Sequence, residues 1–224
     1  MRLNIPVPIG HVGQKCRCGI DASLHHVLNC NRFNKLRDFP HNMVRDSLWN
    51  VFVSNGFSSE TEVPLKDICP SIRTLERMDV SSTFAESYDV LLDVKTVDLQ
   101  NNSNCGFQSI SSSLNSHEQL KQRTYDDLVN TVNKFLQSKR VKSVVFMAFA
   151  ISLPGRLGPE ASQVFSEIKK VFDEKNRDFN LTLWLNRLIF SLFKGLSRMI
   201  SVIREKLTKE CITKRISDPM FGLL

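Results

Sequence analysis

The feature that most constrains this chain is a cluster of metal-ligating side chains near its N-terminus. Three of the six cysteines and two histidines fall within fifteen residues, namely Cys16, Cys18, His25, His26 and Cys30. The segment around them, residues 1–37, has neither helical nor alternating apolar periodicity, so packing alone would not order it. Three thiolates and one imidazole are the ligands that close a tetrahedral structural zinc site. We therefore predict a zinc-knuckle module over residues 1–37.

The spacing C-x-C-x7-H-x3-C makes His26 the fourth ligand, because residues i and i+4 of a helical turn project together and His26 and Cys30 would share one side. His25 is the alternative ligand, and chance clustering of thiols is the alternative to a metal site. The first residues, MRLNIPVPIG, lack the apolar run of a secretory signal. The pattern therefore predicts a metal site in a reducing compartment, nuclear or cytoplasmic, rather than a disulfide framework.

Composition and charge narrow the class of protein. The chain has 224 residues, of which 42% are hydrophobic and 24% are charged, so it is long and apolar enough to bury a core. Its longest apolar runs, 143–154 and 188–193, are too short to span a bilayer, and we predict no membrane association. The 30 basic residues exceed the 23 acidic ones by seven, which favours a polyanionic partner such as nucleic acid.

After the cysteine cluster, the apolar patterns predict an α/β order. The predicted elements are a first helix containing Met43, Val44, Leu48, Val51 and Phe52, strands over 57–65, 77–84 and 88–97, a polar loop over 98–116, a helix over 117–137, a strand over 140–153, a helix opened by Pro159, and a last helix over 181–208. We expect an α/β core with a mixed sheet flanked by helices over residues 38–178, and a C-terminal helical extension and tail over 179–224.

Acidic and basic side chains interrupt the second and third predicted strands. In LLDVKTVD, alternation places Asp93 and Lys95 on one face, and Asp79 precedes Asp93 by thirteen intervening residues, which suits a hairpin. Two carboxylates and the Val94 carbonyl would make a hard oxygen site for Mg²⁺, and Lys95 could position or deprotonate a water that attacks a phosphodiester. The alternative is a buried Asp93–Lys95 ion pair. Glu62 is either a third acid or an exposed strand residue.

This order of elements, with an acid on the second strand and D-x-K on the third, resembles the PD-(D/E)XK restriction-endonuclease-like core. The segments CRCGIDASLHHVLNC, HNMVRDSLW, RMDV, LLDVKTVD, KQRTY and FAISLPGRLGPEA are similar to the C-terminal region of LINE-type (non-LTR) retrotransposon polyproteins, which carry a CCHC zinc knuckle and a restriction-like endonuclease. The resemblance covers residues 1–204. It is carried by the order and spacing of these short motifs.

The resemblance implies roles for individual residues. It makes Cys16, Cys18, His26 and Cys30 zinc ligands, and Asp79 and Asp93 ligands of a catalytic Mg²⁺. Lys95 falls on the Lys of the general superfamily pattern, although this branch often moves that Lys elsewhere. Lys121 and Tyr125 match the K-x-x-x-Y helix that borders the active site.

The resemblance also implies an activity and partners. The activity is a metal-dependent DNA endonuclease that nicks target DNA and leaves a 3′-hydroxyl for target-primed reverse transcription. Its partners would be DNA, the element RNA and the reverse transcriptase domain of the same element. Two departures, Met78 in place of a Pro and Pro40 in place of an Arg, favour the alternative of a catalytically inactive nucleic-acid-binding remnant.

Overall fold

The computed structural model describes residues 15–21, 23, 26–27, 30–83, 88–97, 107–139, 141–153, 155–175 and 177–216. These residues form two compact units. One contains the described residues up to Pro40 together with those from Lys194 onward, and the other is His41–Phe193. The last helix belongs partly to each unit, and the three segments predicted from the sequence stay a prediction. Within the described ranges, no helix is long and apolar enough to cross a membrane.

A 3-10 helix over Asn31–Arg37 leads directly into the first α-helix. The elements that follow are α1 (Asp38–Ser54), β1 (Ser58–Pro64), α2 (Leu65–Ile68), β2 (Arg77–Thr83), β3 (Tyr88–Val97), α3 (Phe107–Ser138), β4 (Ser143–Ser152), α4 (Pro159–Glu174) and α5 (Leu181–Ile216). The order helix, three strands, helix, strand, two helices is the predicted one. The 3-10 helix and the short α2 were not predicted.

The four strands form one mixed sheet in the order β1-β2-β3-β4. The first three strands are an antiparallel meander, and β4 lies parallel to β3 along its whole length. A parallel neighbour needs a long crossover connection, and α3 supplies it. The predicted α/β class with a mixed sheet flanked by helices is therefore confirmed.

The pairing of β2 with β3 stops short of the acidic residues. It runs from Ser82 opposite Val90 to Val80 opposite Leu92. Continuing that register would place Asp79 opposite Asp93, but from this point the two strands are no longer paired. The sheet therefore opens where the two acids lie.

Helices cover both faces of the sheet. On one face, Leu91 and Phe146 pack with Tyr125 and Val132 of α3 in a single buried cluster. On the other, Phe149 of β4 meets Phe165 of α4 edge to face, with ring centroids 6.1 Å apart. Nearly all of β4 is buried, as its continuous apolar run predicts.

Side chains from α3 and α4 satisfy backbone groups along the free edge of β4. Asn133 exchanges two hydrogen bonds with the backbone of Val144, at 2.7 and 2.9 Å. The amide of Ala148 donates to Glu160 Oε2 at 2.8 Å, and that of Ala150 donates to Glu118 Oε1 at 3.4 Å. Edge strands left bare invite pairing with other chains, so these contacts both stabilise the sheet and protect it.

The predicted polar loop over 98–116 is wrong for residues 107–116, which form the start of α3; residues 98–106 lie outside the described part of the chain. Ile110 and Leu114 pack against Val97 and Ala150, so tertiary burial outweighs the weak helix propensity of the surrounding Ser and Asn. The last helix also continues beyond its predicted end, to Ile216.

Candidate functional site

The first candidate site begins with a tight hairpin that carries two cysteines. Lys15 and Asp21 form an isolated antiparallel bridge, and the Cys16 amide donates to Ile20 O at 2.8 Å. Between them the Gly19 amide donates to Cys16 O, and Gly19 has a φ of +91°, a conformation that glycine adopts without strain. The turn places the thiols of Cys16 and Cys18 close together.

The other two ligands are His26, in a helical turn, and Cys30, the extended residue that precedes the 3-10 helix. Ser23 Oγ accepts the His26 amide at 3.2 Å. Cys16 Sγ lies 3.9 Å from Cys30 Sγ, Cys18 Sγ lies 3.1 Å from His26 Nε2, and all four ligand atoms are within 4.8 Å of one another. Thiolates on a tetrahedral zinc with bonds of about 2.3 Å are about 3.8 Å apart. The cluster could therefore bind a metal ion such as zinc.

The predicted Cys/His cluster is therefore confirmed as a candidate metal site. The alternative ligand His25 lies outside the described residues, so its role stays untested.

An arginine contacts the cluster. Arg32 Nη1 lies 3.6 Å from Cys16 Sγ, and the same guanidinium binds Glu210 of α5 at 2.5 Å. Burial raises the pKa of the Cys16 thiol, but hydrogen bonds with the Cys18 amide, His26 and Arg32 lower it by more than burial raises it. The net effect is a pKa of about 6. The Cys16 thiol is therefore deprotonated near neutral pH, and the thiolate is the form that binds metals.

The second candidate site lies where β2 and β3 separate. Asp79 Oδ2 accepts the Val94 amide at 2.6 Å, and Asp79 Oδ1 lies 3.0 Å from His41 Nε2 of α1. The N–H and C=O of one strand residue leave the same edge of the strand, so the Val94 carbonyl also points toward β2. Both Asp79 oxygens are therefore held, one by backbone and one by imidazole.

Asp93 is buried beside Asp79, but a different basic side chain contacts it. Lys121 Nζ of α3 lies 2.6 Å from Asp93 Oδ2. The Lys121 ammonium also lies 5.7 Å from the ring centroid of Tyr125, which packs on Phe146. The structure thus brings the predicted Lys121 and Tyr125 to Asp93 from a distant part of the chain.

Lys95 follows Asp93 on β3, and its side chain is exposed. Burial lowers the pKa of His117 on α3, and the charge of Lys95 lowers it further. Lys95 therefore faces the α3 side of the sheet, as alternation predicts. The residue in ionic contact with Asp93 is Lys121, whereas the alternative considered from the sequence was an ion pair between Asp93 and Lys95.

The pKa values of the two carboxyl groups shift in opposite directions. Burial raises the pKa of both, but for Asp79 the hydrogen bond and charge of His41 and the Val94 amide outweigh burial, and the net pKa is lowered. For Asp93, burial and the neighbouring Asp79 outweigh Lys121, and the pKa is raised. The pair therefore keeps a proton on Asp93 more readily than on Asp79.

Glu62 of β1 lies beside this site. It falls between the pairs Thr61–Val80 and Val63–Met78, which puts it opposite Asp79. Among the described residues other than glycine, it alone has a positive φ, of 56°. Its carboxylate pairs closely with Arg45 of α1, and the side chain is exposed. The role of Glu62 as a third acid at this site remains a prediction. The group that its carboxylate contacts is the guanidinium of Arg45.

One residue at the carboxylate site, and one buried acid outside both sites, were not assigned from the sequence. His41 belongs to the HNMVRD segment, where it and Arg45 are spaced i and i+4 on one face of α1, so helical spacing was the available signal. Glu118 is buried and accepts the amides of Glu160 and Ala161 at 3.0 and 3.1 Å. Nothing local in the sequence distinguishes it from an exposed helix Glu.

Comparison with known proteins adds no assignment to these two sites. No protein-family model matches the chain, and a search of curated proteins finds no significant match.

Proposed function

We propose that this chain is a metal-dependent DNA endonuclease domain with the PD-(D/E)XK restriction-like fold and a zinc knuckle, of the kind found at the C-terminus of non-LTR retrotransposon polyproteins. It would nick target DNA and leave a 3′-hydroxyl for reverse transcription by another domain of the same element. DNA is the substrate, and the element RNA and reverse transcriptase domain are the further partners.

The observation that carries this proposal is the meeting of Asp79, Asp93 and Lys121 at the opening of the sheet. The two acids come from neighbouring strands of an antiparallel meander, and the ammonium comes from the crossover helix, 2.6 Å from Asp93. Buried carboxylates are costly unless they are paired or bind a cation. Two carboxylates and one ammonium from three elements favour a reaction site over an ordinary surface ion pair.

The donor atoms suit a hard divalent cation. Asp79, Asp93 and the Val94 carbonyl would hold Mg²⁺, since carboxylate and carbonyl oxygens are the ligands it prefers. A bound Mg²⁺ would lower the pKa of a water and stabilise the charge that develops on the phosphate.

Residues of the chain would supply the remaining chemistry. The Lys121 ammonium holds positive charge beside Asp93, where it can donate hydrogen bonds to a phosphate oxygen. Lys95, exposed on the same face, can orient or deprotonate the attacking water. Tyr125 is buried beneath the Lys121 ammonium, and burial together with the nearby acids Asp93 and Glu76 raises its pKa. The Tyr125 phenol therefore stays un-ionised and lines the site.

The zinc-knuckle module is suited to binding DNA rather than to cleaving it. Lys35 is exposed on the 3-10 helix that follows Cys30, and the chain as a whole carries a net charge of +7. Contacts between such residues and phosphates would position the duplex without reading its sequence.

The test is a nicking assay on supercoiled plasmid with zinc-loaded protein, with and without Mg²⁺. Wild type should convert supercoiled to open-circular DNA only with Mg²⁺, and a polymerase should extend the nick without prior phosphatase treatment. Asp93→Asn keeps the side-chain shape but removes a charged ligand, so nicking should fall by orders of magnitude. Asp127→Asn, an exposed acid on α3, is the matched control and should nick normally.

A measurement of DNA binding distinguishes the proposed endonuclease from the inactive nucleic-acid-binding remnant. If DNA binds but Mg²⁺ produces no nick in wild type, the inactive nucleic-acid-binding remnant is the correct description. If Asp93→Asn and Lys121→Met both unfold far below wild type in that case, the Asp93–Lys121 pair serves the fold and not a reaction.

A further inference from the structure

We propose that a groove between α1 and α5 binds unpaired nucleotides and prefers bases that carry an exocyclic amino group. The groove lies within the His41–Phe193 unit and has a volume of about 330 Å³, which is in the size range of ligand sites. Five residues of α1, from Met43 to Ser54, and four residues of α5, from Trp184 to Ser191, line it. This binding does not depend on the endonuclease reaction.

The groove is separate from the carboxylate site. Asp46 and Asn50 line the groove and are spaced i and i+4, so they share one side of α1. His41, which contacts Asp79, is turned from them by about 140–180° around the helix axis, at 3.6 residues per turn. The two sites therefore use different sides of the same helix.

Phe190 provides an exposed aromatic surface at the groove. It is 70% exposed, although Leu188 and Leu192 of the same helix are fully buried. Arg187 lies three residues before Phe190, and residues at this spacing are neighbours on a helix. Single-strand binding sites combine an aromatic ring that stacks on a base with a basic side chain that binds the backbone phosphate. Phe190 and Arg187 together offer both contacts to one nucleotide.

The guanidinium of Arg187 is held in place by Trp184. Arg187 Cζ lies 4.6 Å from the centroid of the Trp184 ring, and Trp184 itself is buried. A guanidinium that rests on an aromatic ring is already ordered, so it loses less side-chain entropy when it binds a phosphate. Residues 181–204 contain four basic residues and no acidic one. The charge on this side of the groove therefore favours a polyanion.

The α1 side of the groove offers hydrogen-bond acceptors to a base. Arg45 donates two hydrogen bonds to Asp46, at 2.8 and 2.9 Å, and both go to Oδ1, so Oδ2 of this exposed side chain can accept another. Asn50 Nδ2 donates to Asp46 O at 2.8 Å, so the carbonyl end of Asn50 is the one that can meet a ligand. Cytosine and adenine carry amino donors for such acceptors, whereas thymine carries none. These acceptors therefore favour cytosine or adenine over thymine.

The lining of the groove fits a nucleotide better than an apolar helix or a membrane surface. Six of its nine residues are polar or charged. An apolar helix would bury these groups without hydrogen-bond partners, which is costly. An anionic membrane would bring its head groups against the Asp46 carboxylate, which like charge opposes. A base, in contrast, has both an apolar face for Phe190 and polar edges for α1.

The experiment uses the zinc-loaded full chain without Mg²⁺ and labelled hexamers of deoxycytidine, deoxythymidine and cytidine. Fluorescence anisotropy should show deoxycytidine binding at least about 3-fold more tightly than deoxythymidine, because of the added hydrogen bonds. Phe190→Ala should weaken deoxycytidine binding by about 5-fold to 140-fold through the lost stacking. Phe193→Ala is the matched control, since Phe193 is also exposed on α5 but does not line the groove, and it should change the affinity by less than about twofold.

Two further variants locate the bound base. The chain has two tryptophans, so Trp49→Phe leaves Trp184 as the single reporter, and unlabelled deoxycytidine hexamer should quench its fluorescence. Asn50→Leu should abolish the preference for deoxycytidine and leave deoxythymidine binding unchanged. Phe190→Tyr keeps the ring and should bind like wild type. The cytidine hexamer distinguishes RNA from DNA as the source of the strand.

Several results would overturn this site. They are equal affinity for the two deoxy hexamers, equal losses in Phe190→Ala and Phe193→Ala, or binding that leaves Trp184 fluorescence unchanged. A response of Trp184 to phosphatidylserine vesicles but to no hexamer would assign the groove to a membrane surface instead. Mg²⁺-dependent nicking is measured separately, so each of these results leaves the proposed endonuclease untouched.

Discussion

Replacing Gly158 by alanine should destabilise this protein strongly, although Gly158 has a φ of −71°, which suits any residue. A Cβ at this position would lie 2.1 Å from Glu118 Oε1 and 2.4 Å from its Cδ. That carboxylate is buried and accepts the amides of Glu160 and Ala161 at the start of α4. Gly158→Ala therefore forces the carboxylate away from the amides that it satisfies.

The hydrogen bonds of Glu118 set the size of the effect. Its two shorter bonds, at 3.0 and 3.1 Å, join backbone amides to a carboxylate, and such bonds contribute about 1.5–3 kcal/mol each, or roughly 3–6 kcal/mol together. In a chain of this length, each kcal/mol shifts Tm by about 2–4 °C, so a drop of roughly 6–24 °C is expected. The comparison is Gly56→Ala, where φ is +82° but nothing lies within 4 Å of the new Cβ. Backbone strain alone should cost about 1–2 kcal/mol there.

Thermal and urea unfolding of four variants tests this reasoning. Gly158→Ala should cost more than Gly56→Ala, and Glu118→Ala should cost about as much as Gly158→Ala. The double variant Gly158→Ala/Glu118→Ala should be no less stable than Glu118→Ala by more than about 0.5 kcal/mol, because the clash requires the carboxylate. Additive losses in the double variant would refute the proposed contact.

Three further predictions concern the candidate sites. Cys30→Ser should release about one zinc per chain, measured by metal analysis under reducing conditions, and expose the N-terminal segment to protease; unchanged zinc content would contradict the ligand assignment. The His41–Asp79 pair should stabilise most between about pH 3.8 and 6.5. The raised pKa of His41 means that its contribution is lost as pH rises through that pKa, and the lowered pKa of Asp79 means that its contribution is lost as pH falls through it. Melting curves of wild type and His41→Gln without added divalent cations should therefore converge at alkaline pH, and a difference that grows with pH would contradict this. Lys35→Ala should reduce the slope of log K against log salt for duplex DNA by about 0.9, and a salt-independent affinity would exclude a phosphate contact.

The order of elements and the ligand cluster could be predicted from the sequence because both depend on local spacing. Alternation and short apolar runs fix strands, and Cys16, Cys18, His26 and Cys30 lie close enough in sequence that any compact turn brings them together. The start of α3 could not be predicted in this way. Its buried stripe runs from Ile110 and Leu114 through the carboxylate of Glu118, so the apolar period that marks a helix is interrupted by a charged residue.

The composition of the carboxylate site was decided by the tertiary structure. The sequence alone placed Lys95 on the same face of the strand as Asp93, but the cation that contacts Asp93 is Lys121 from the crossover helix. Asp79 contacts His41, which lies 38 residues earlier. Alternation settles only which face of a strand a side chain takes, whereas the approach of a helix depends on the register and packing of the whole sheet. Local spacing therefore determined which groups were available, and long-range packing determined which of them meet.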